Sequence, residues 1–191
     1  MKVLIVNNFV RHGSGIDAGV GLEQRVLQAR GHNVHIFGRD NREFDEATTV
    51  RKATLLASCI YSISARRELE RLLTAERFDV VHLKNLVPQL TGSVYDACRN
   101  RGVPTVQHLH NYRAFCLSSY SYRDDGPCDL CWPTACVSCV AFRCYRRSAV
   151  QSASLAAARI VDSLKGRRTG YDAERIAARL SADASAAGAA V

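Results

Sequence analysis

Six of the eight cysteines fall in one stretch: Cys116, Cys128, Cys131, Cys136, Cys139 and Cys144. Cys128 and Cys131, and again Cys136 and Cys139, form C-x2-C pairs, a spacing that lets two thiolates reach one tetrahedral zinc ion. A chain of 191 residues can bury a core without covalent help, so this density has another cause. In a reducing compartment it favours a structural thiolate metal site over a disulfide framework. Labile disulfides, or cysteines acting as small hydrophobes, are the alternatives. The spacing leaves open which four of the six bind. Cys59 and Cys98 fall on apolar helical faces and read as core.

A second group is His108-Leu-His110-Asn-Tyr-Arg113, at the end of a strand-like run. Alternation puts His108 and His110 on one side of that strand. Imidazole titrates near working pH, so either ring could act as a base or orient a hydroxyl. A buried histidine bonded to a backbone carbonyl is the plain alternative. His110, nearer the carboxyl end, is the catalytic candidate. A third group is the loop Gly13-Ser-Gly15, which leads into a helix whose first N–H groups could meet an anion. Its spacing, with Gly19 and Gly21, is not the G-x-G-x-x-G dinucleotide fingerprint, and a flexible connection fits it equally well.

The elements that must position these groups alternate. Strands are predicted over Lys2–Asn7, Asn33–Phe37, Phe78–Leu83 and Val103–Leu109. Helices are predicted over Asp17–Arg30, Ala53–Leu73, Ser93–Arg101 and Arg147–Leu164, with Gly31 and Gly102 as stops. Strand–helix alternation implies an open parallel α/β sheet with right-handed crossovers. Ligands of such sheets sit beyond the carboxyl ends of the strands. Those ends carry Asn7, Asn8, the glycine loop, Lys84, Asn85 and His108 to Asn111. A cysteine-rich insertion, about 116–144, interrupts the pattern, and residues 165–191, rich in Ala, Ser, Arg and Asp, are expected to be a disordered tail.

Composition excludes little. The chain is 47% hydrophobic and 23% charged, with a formal net charge of +8. That charge favours anionic partners in general, but the basic residues are scattered, as on a solvated surface. No apolar run is long enough to span a bilayer, and Met1 to Asn8 turns polar too early for a signal peptide. A cytoplasmic chain is expected, with peripheral contact at the inner face of the membrane as an option.

Taken together and in order, several short motifs make the chain similar to the N-terminal domain of the GT-B glycosyltransferases of family 4. They are Val3-Leu-Ile-Val-Asn-Asn8, then Gly15, Asp17 and Glu23, then Ala29-Arg-Gly-His-Asn-Val34 and Arg39-Asp-Asn-Arg-Glu43. Asp79-Val-Val-His82, Asn85, Gly102-Val-Pro104 and His110-Asn-Tyr-Arg113 with Cys116 follow. Arg123-Asp124, Cys128-x2-Cys131 and Arg143-Cys-Tyr-Arg146 complete the set. The family-like domain would occupy residues 1–164.

The resemblance implies a Rossmann-like sheet with helices on both faces, and a partner domain of the same kind across a cleft. It implies retaining transfer of a sugar from a nucleotide-sugar donor to a glycan or lipid-linked acceptor, with no cofactor in the chemistry. It makes His110 the catalytic residue, facing the transferred sugar, and Gly13, Gly15, Asp17, Asn85, Asn111 and Arg113 the substrate-binding set. It makes Cys116, Cys128, Cys131 and Cys144, the cysteines the family pattern shares, the expected zinc ligands, with Cys136 and Cys139 as spares. Ile16 replaces a frequent Glu, Lys84 a frequent His, and Leu117 a frequent Pro. The pattern dissolves after about Ile160, and no donor-binding half with paired glutamates follows. The chain alone is therefore expected to be inactive and to need a separate C-terminal domain. A non-catalytic acceptor-binding module is the second reading. A zinc-stabilised nucleic-acid binder is the third, and the lack of interleaved aromatics or a dense basic helix face speaks against it.

Overall fold

The computed structural model describes residues 1–10, 14–114, 116–131 and 136–164. Gly13 and the stretch 165–191, where a tail was expected, lie outside them. The chain runs β1 (Lys2–Phe9), α1 (Gly15–Ala29), β2 (Asn33–Asp40), α2 (Arg42–Asp45), α3 (Thr49–Ser58), α4 (Ile63–Ala75), β3 (Val80–Leu83), α5 (Ser93–Asn100) and β4 (Thr105–Gln107). Then come a 3-10 turn (Tyr112–Ala114), the two-residue strands β5 (Tyr122–Arg123) and β6 (Gly126–Pro127), α6 (Val137–Ala141) and α7 (Ala149–Leu164).

The main sheet has the order β2-β1-β3-β4 and every pairing in it is parallel. This is the Rossmann-like α/β sheet the sequence implies. Alternation along the strands sorts side chains to its two faces. Leu4, Val6, Val81 and Leu83 are fully buried on one face, against Ala65, Leu69 and Leu73 of α4 and Val94, Ala97 and Cys98 of α5. Val3, Ile5 and Val34 pack on the other, against Val20 of α1. Cys59 and Cys98 are buried core residues, as expected.

Two helix ends fall where glycine allows them. Gly31, at φ +81°, donates to the Gln28 carbonyl while His32 donates to Leu27. Gly102, at φ +64°, donates to Arg99 while Val103 donates to Cys98. In both, a left-handed residue after the cap satisfies the last carbonyls, and the chain turns into the next strand.

Three expectations need correction. The predicted helix Ala53–Leu73 is two helices, α3 and α4, because Ser62 adopts extended backbone and caps α4 by accepting from the Ala65 N–H. Ser62 is in turn held by Thr91, whose hydroxyl accepts its N–H at 3.1 Å. The predicted fourth strand, Val103–Leu109, pairs only over Thr105–Gln107. The second strand runs three residues further than predicted, to Asp40.

The insertion and α7 make a second, smaller core. Leu117, Cys131, Cys136 and Cys139 are buried against Leu155 and Ala156 of α7. No described helix is long and apolar enough to cross a membrane.

Candidate functional site

Strand order reverses at β1 and β3: β2 lies to one side of β1, while β3 and then β4 lie to the other. A crevice opens at such a reversal, beyond the carboxyl ends of the strands. Buried carboxamides close its floor. Asn7 and Asn8 are fully buried, and their amides donate to Asp17 (3.2 Å) and Asn41 (2.9 Å). The Asn85 amide donates to the Asn8 carbonyl at 2.9 Å, and its Oδ1 accepts from the Val87 N–H at 3.4 Å.

On the α1 side of the sheet, His82 and Lys84 follow one another at the two-residue spacing of β3, and His108 follows β4. Glu23 belongs to the same stripe of α1 as Val20 and Leu27, which pack on that face. Its carboxylate bonds the Nδ1 of His82 and forms an ion pair with the Lys84 ammonium. Lys84 is almost wholly buried, with 3% of its side chain exposed, and its Nζ lies 3.0 Å from Nδ1 of His108. An ammonium can only donate, so Nδ1 of His108 accepts and the proton of the neutral ring sits on Nε2. Gln107 locks the junction: its amide donates to the carbonyls of Lys84 (2.8 Å) and His108 (3.1 Å).

The His108 ring stacks on His110, with centroids 3.9 Å apart, and lies 6.1 Å from His82 in nearly parallel planes. Nε2 of His110 is buried, with no hydrogen-bond partner among the described residues. Burial, followed by the nearby His108, Lys84 and His82, lowers the His110 pKa to about 4. Burial and Lys84 lower that of His108 as well. Burial opposes ionisation of Glu23, but its bonds and charge contacts with Lys84 and His82 outweigh this and lower its pKa. Near neutral pH the site therefore holds an ionised Glu23, a buried cation and two stacked neutral imidazoles. Glu23, His82 and His108 bring ligand atoms within 4.8 Å of one another, a spacing that could hold a metal. Lys84 already provides a cation there.

The other substrate-binding candidates are engaged locally. The Asp17 carboxylate accepts from the Val10 N–H and Asn7, tying the start of α1 to the end of β1. Gly15 opens α1, and a Cβ built there, or at Gly19, would meet nothing within 4 Å. Asn85 holds loops together. Asn111 accepts the Arg113 N–H at 3.0 Å, and Arg113 donates to the Leu117 carbonyl at 2.7 Å and the Ser119 hydroxyl at 3.3 Å. The side chains gathered around His110 are instead Glu23, His82, Lys84 and His108. Period-two alternation from His82 to Lys84, and a carboxylate on the buried stripe of α1, were the available signals.

In the insertion, the Cys131 and Cys139 sulfurs lie 3.0 Å apart. Cys139, a spare in the sequence reading, is thus one of the pair, and no three cysteine sulfurs among the described residues lie within 4.8 Å of one another. Half-buried Cys128 donates its backbone N–H to Ser121 at the end of the β5–β6 ribbon.

Residues 22–129 match the model of the family described as Glycosyltransferase Family 4. The match spans more than half the chain and includes Glu23, His82, Lys84, His108 and His110. No curated protein and no solved structure matches. Sheet, edge and match agree: the chain belongs to glycosyltransferase family 4.

Proposed function

We propose that this domain forms the acceptor-side wall of a retaining glycosyltransferase, which moves a sugar from a nucleotide donor to a glycan or lipid-linked acceptor, with His110 at the reacting centre. The observation that carries this reading is the His110 ring: neutral, stacked on His108, with a buried Nε2 free of protein partners among the described residues. A neutral imidazole with an uncommitted nitrogen can accept from, or donate to, a sugar hydroxyl as charge develops at the anomeric carbon. The N-terminus of α1, which like His110 follows the carboxyl end of a strand, supports the reading. Its first turn is capped by Ser14, and the space over Gly15 and Gly19 is open, which suits the approach of a phosphate. Departure of a nucleotide diphosphate needs groups on a second wall, so turnover requires a donor-binding domain, in this polypeptide or another.

The test pairs this chain with the donor-binding domain of a family member and follows sugar transfer from a panel of nucleotide sugars. Transfer should need both parts, and His110→Ala should lower kcat by about 10²–10⁴-fold. Full activity of the chain on its own would refute the division of labour. An active pair indifferent to His110→Ala would refute the role of His110.

A further inference from the structure

His110 owes its place to another ring. It is half-buried, its Nε2 has no hydrogen-bond partner among the described residues, and its imidazole stacks on that of His108 at 3.9 Å and 22°. His108 itself is exposed. Its N–H donates to the Leu83 carbonyl at 2.9 Å, which fixes the main chain but not the ring. The outer side-chain torsion of histidine has a broad profile, so an exposed imidazole turns unless something holds it. Nδ1 of His108 is held, 3.0 Å from Nζ of Lys84.

Lys84 is fixed in its turn. Its N–H donates to the Val6 carbonyl at 2.9 Å and its carbonyl accepts from Gln107. Its ammonium forms an ion pair with Glu23, which also bonds His82. Only 3% of the lysine side chain meets water. Desolvation offsets much of the attraction within a buried ion pair, so stability alone does not account for a cation here. The contacts instead form one line, from Glu23 through Lys84 and His108 to His110.

We propose that Lys84 is a positioning residue: its ammonium, anchored on Glu23, sets the plane and tautomer of His108, and that plane orients His110 at the reacting centre. This role rests on the reading of His110 given above. Lys84 acts through His108 and needs no contact with the sugar. Its donated proton keeps the single proton of His108 on Nε2. Burial, then the charges of Lys84 and His82, keep a second proton off that ring, while Glu23 pulls the other way. Ligand atoms of Glu23 and His108 lie within 4.8 Å of each other. Without the ammonium between them, Nδ1 of His108 would take up a proton and turn to the carboxylate.

Long-range proton–nitrogen NMR on the full chain, labelled with nitrogen-15 histidine at pH 7, tells a protonated ring nitrogen from a bare one. His108→Gln and His110→Gln assign the two rings. In the unmodified chain His108 should carry its proton on Nε2. In Lys84→Met its Nδ1 should become protonated, and the ring C–H signals of His110 should move toward those of an unstacked imidazole. His32, beside Met1 at the amino end of the sheet, should not shift, which separates this effect from unfolding. Paired with a donor-binding domain, Lys84→Met should lose about 10–100-fold in kcat and keep its KM for the donor. The spectrum of the unmodified chain decides the tautomer even if Lys84→Met does not fold. A proton on Nδ1 of His108 there, His110 signals indifferent to Lys84→Met, or an unchanged kcat would each overturn the role of Lys84. Spectra as expected from a pair indifferent to His110→Ala would refute the reading of His110, and leave Lys84 as the group that places the two rings.

Discussion

Lys84 places an ammonium where only 3% of its side chain meets water, a position too costly without the Glu23 carboxylate beside it. The two partners are not equivalent, since Glu23 keeps 22% of its side chain exposed. Glu23→Gln leaves a buried, uncompensated cation and should destabilise the fold by about 3 kcal/mol. Lys84→Met leaves a carboxylate that water can reach and should cost about 1 kcal/mol. Urea unfolding at pH 7 measures both, and a larger loss for Lys84→Met would contradict this electrostatic assignment. Acid acts on the same cluster. His110 has a pKa of about 4 in the fold, below the ordinary histidine value of about 6.5, so the unfolded chain takes up the extra proton. Stability should be full above about pH 6.5 and fall as the pH drops toward about 4. Glu23, lowered from 4.5, adds a further loss in the same direction as the pH falls through its folded value. In unfolding midpoints across pH 7 to pH 4, His110→Gln should flatten the upper part of the decline. An unchanged profile would show that His110 is not the group responsible.

Between α3 and α4 the helical pattern of apolar residues continues, yet the helix does not. Ser62 ends the run because its hydroxyl serves the Ala65 N–H and its own N–H is taken by Thr91 from the loop before α5. Ser62→Ala removes one cap bond and should cost about 1 kcal/mol, read from urea unfolding. No effect would mean that the break is imposed by packing alone. Gly38 on β2 is a tighter case. A Cβ there would lie 2.6 Å from Cε2 of Phe9 and 3.0 Å from the Asn7 carbonyl oxygen, whose backbone also supports the site. Gly38→Ala should destabilise by about 1–3 kcal/mol through overpacking, and a neutral result would show that Phe9 swings aside freely.

Across the whole molecule there are two packing units: the parallel sheet with its helices, and the insertion packed on α7. The insertion, with two-residue strands and one five-residue helix, should open before the sheet, so in native-state hydrogen exchange amides of residues 116–131 and 136–144 should exchange faster than those of β1 and β3. Equal protection throughout would mean that the two unfold as one. The sheet itself was legible in the sequence because its signals are local. β-branched runs, the glycine stops at Gly31 and Gly102, and strand–helix alternation each depend on neighbours along the chain. Strand ends also marked the edge where the candidate site lies, and the order of short motifs pointed to the family. Tertiary structure alone decided which side chains meet there. Glu23 and His82 are 59 residues apart, and only α1 crossing the face of β3 brings them together around Lys84. Asn85 and Arg113, polar and suitably placed in sequence, are engaged by backbone groups that only the fold supplies. The same holds for the thiols, because C-x2-C spacing says which sulfurs can pair, and packing on α7 instead brings Cys131 and Cys139 to 3.0 Å.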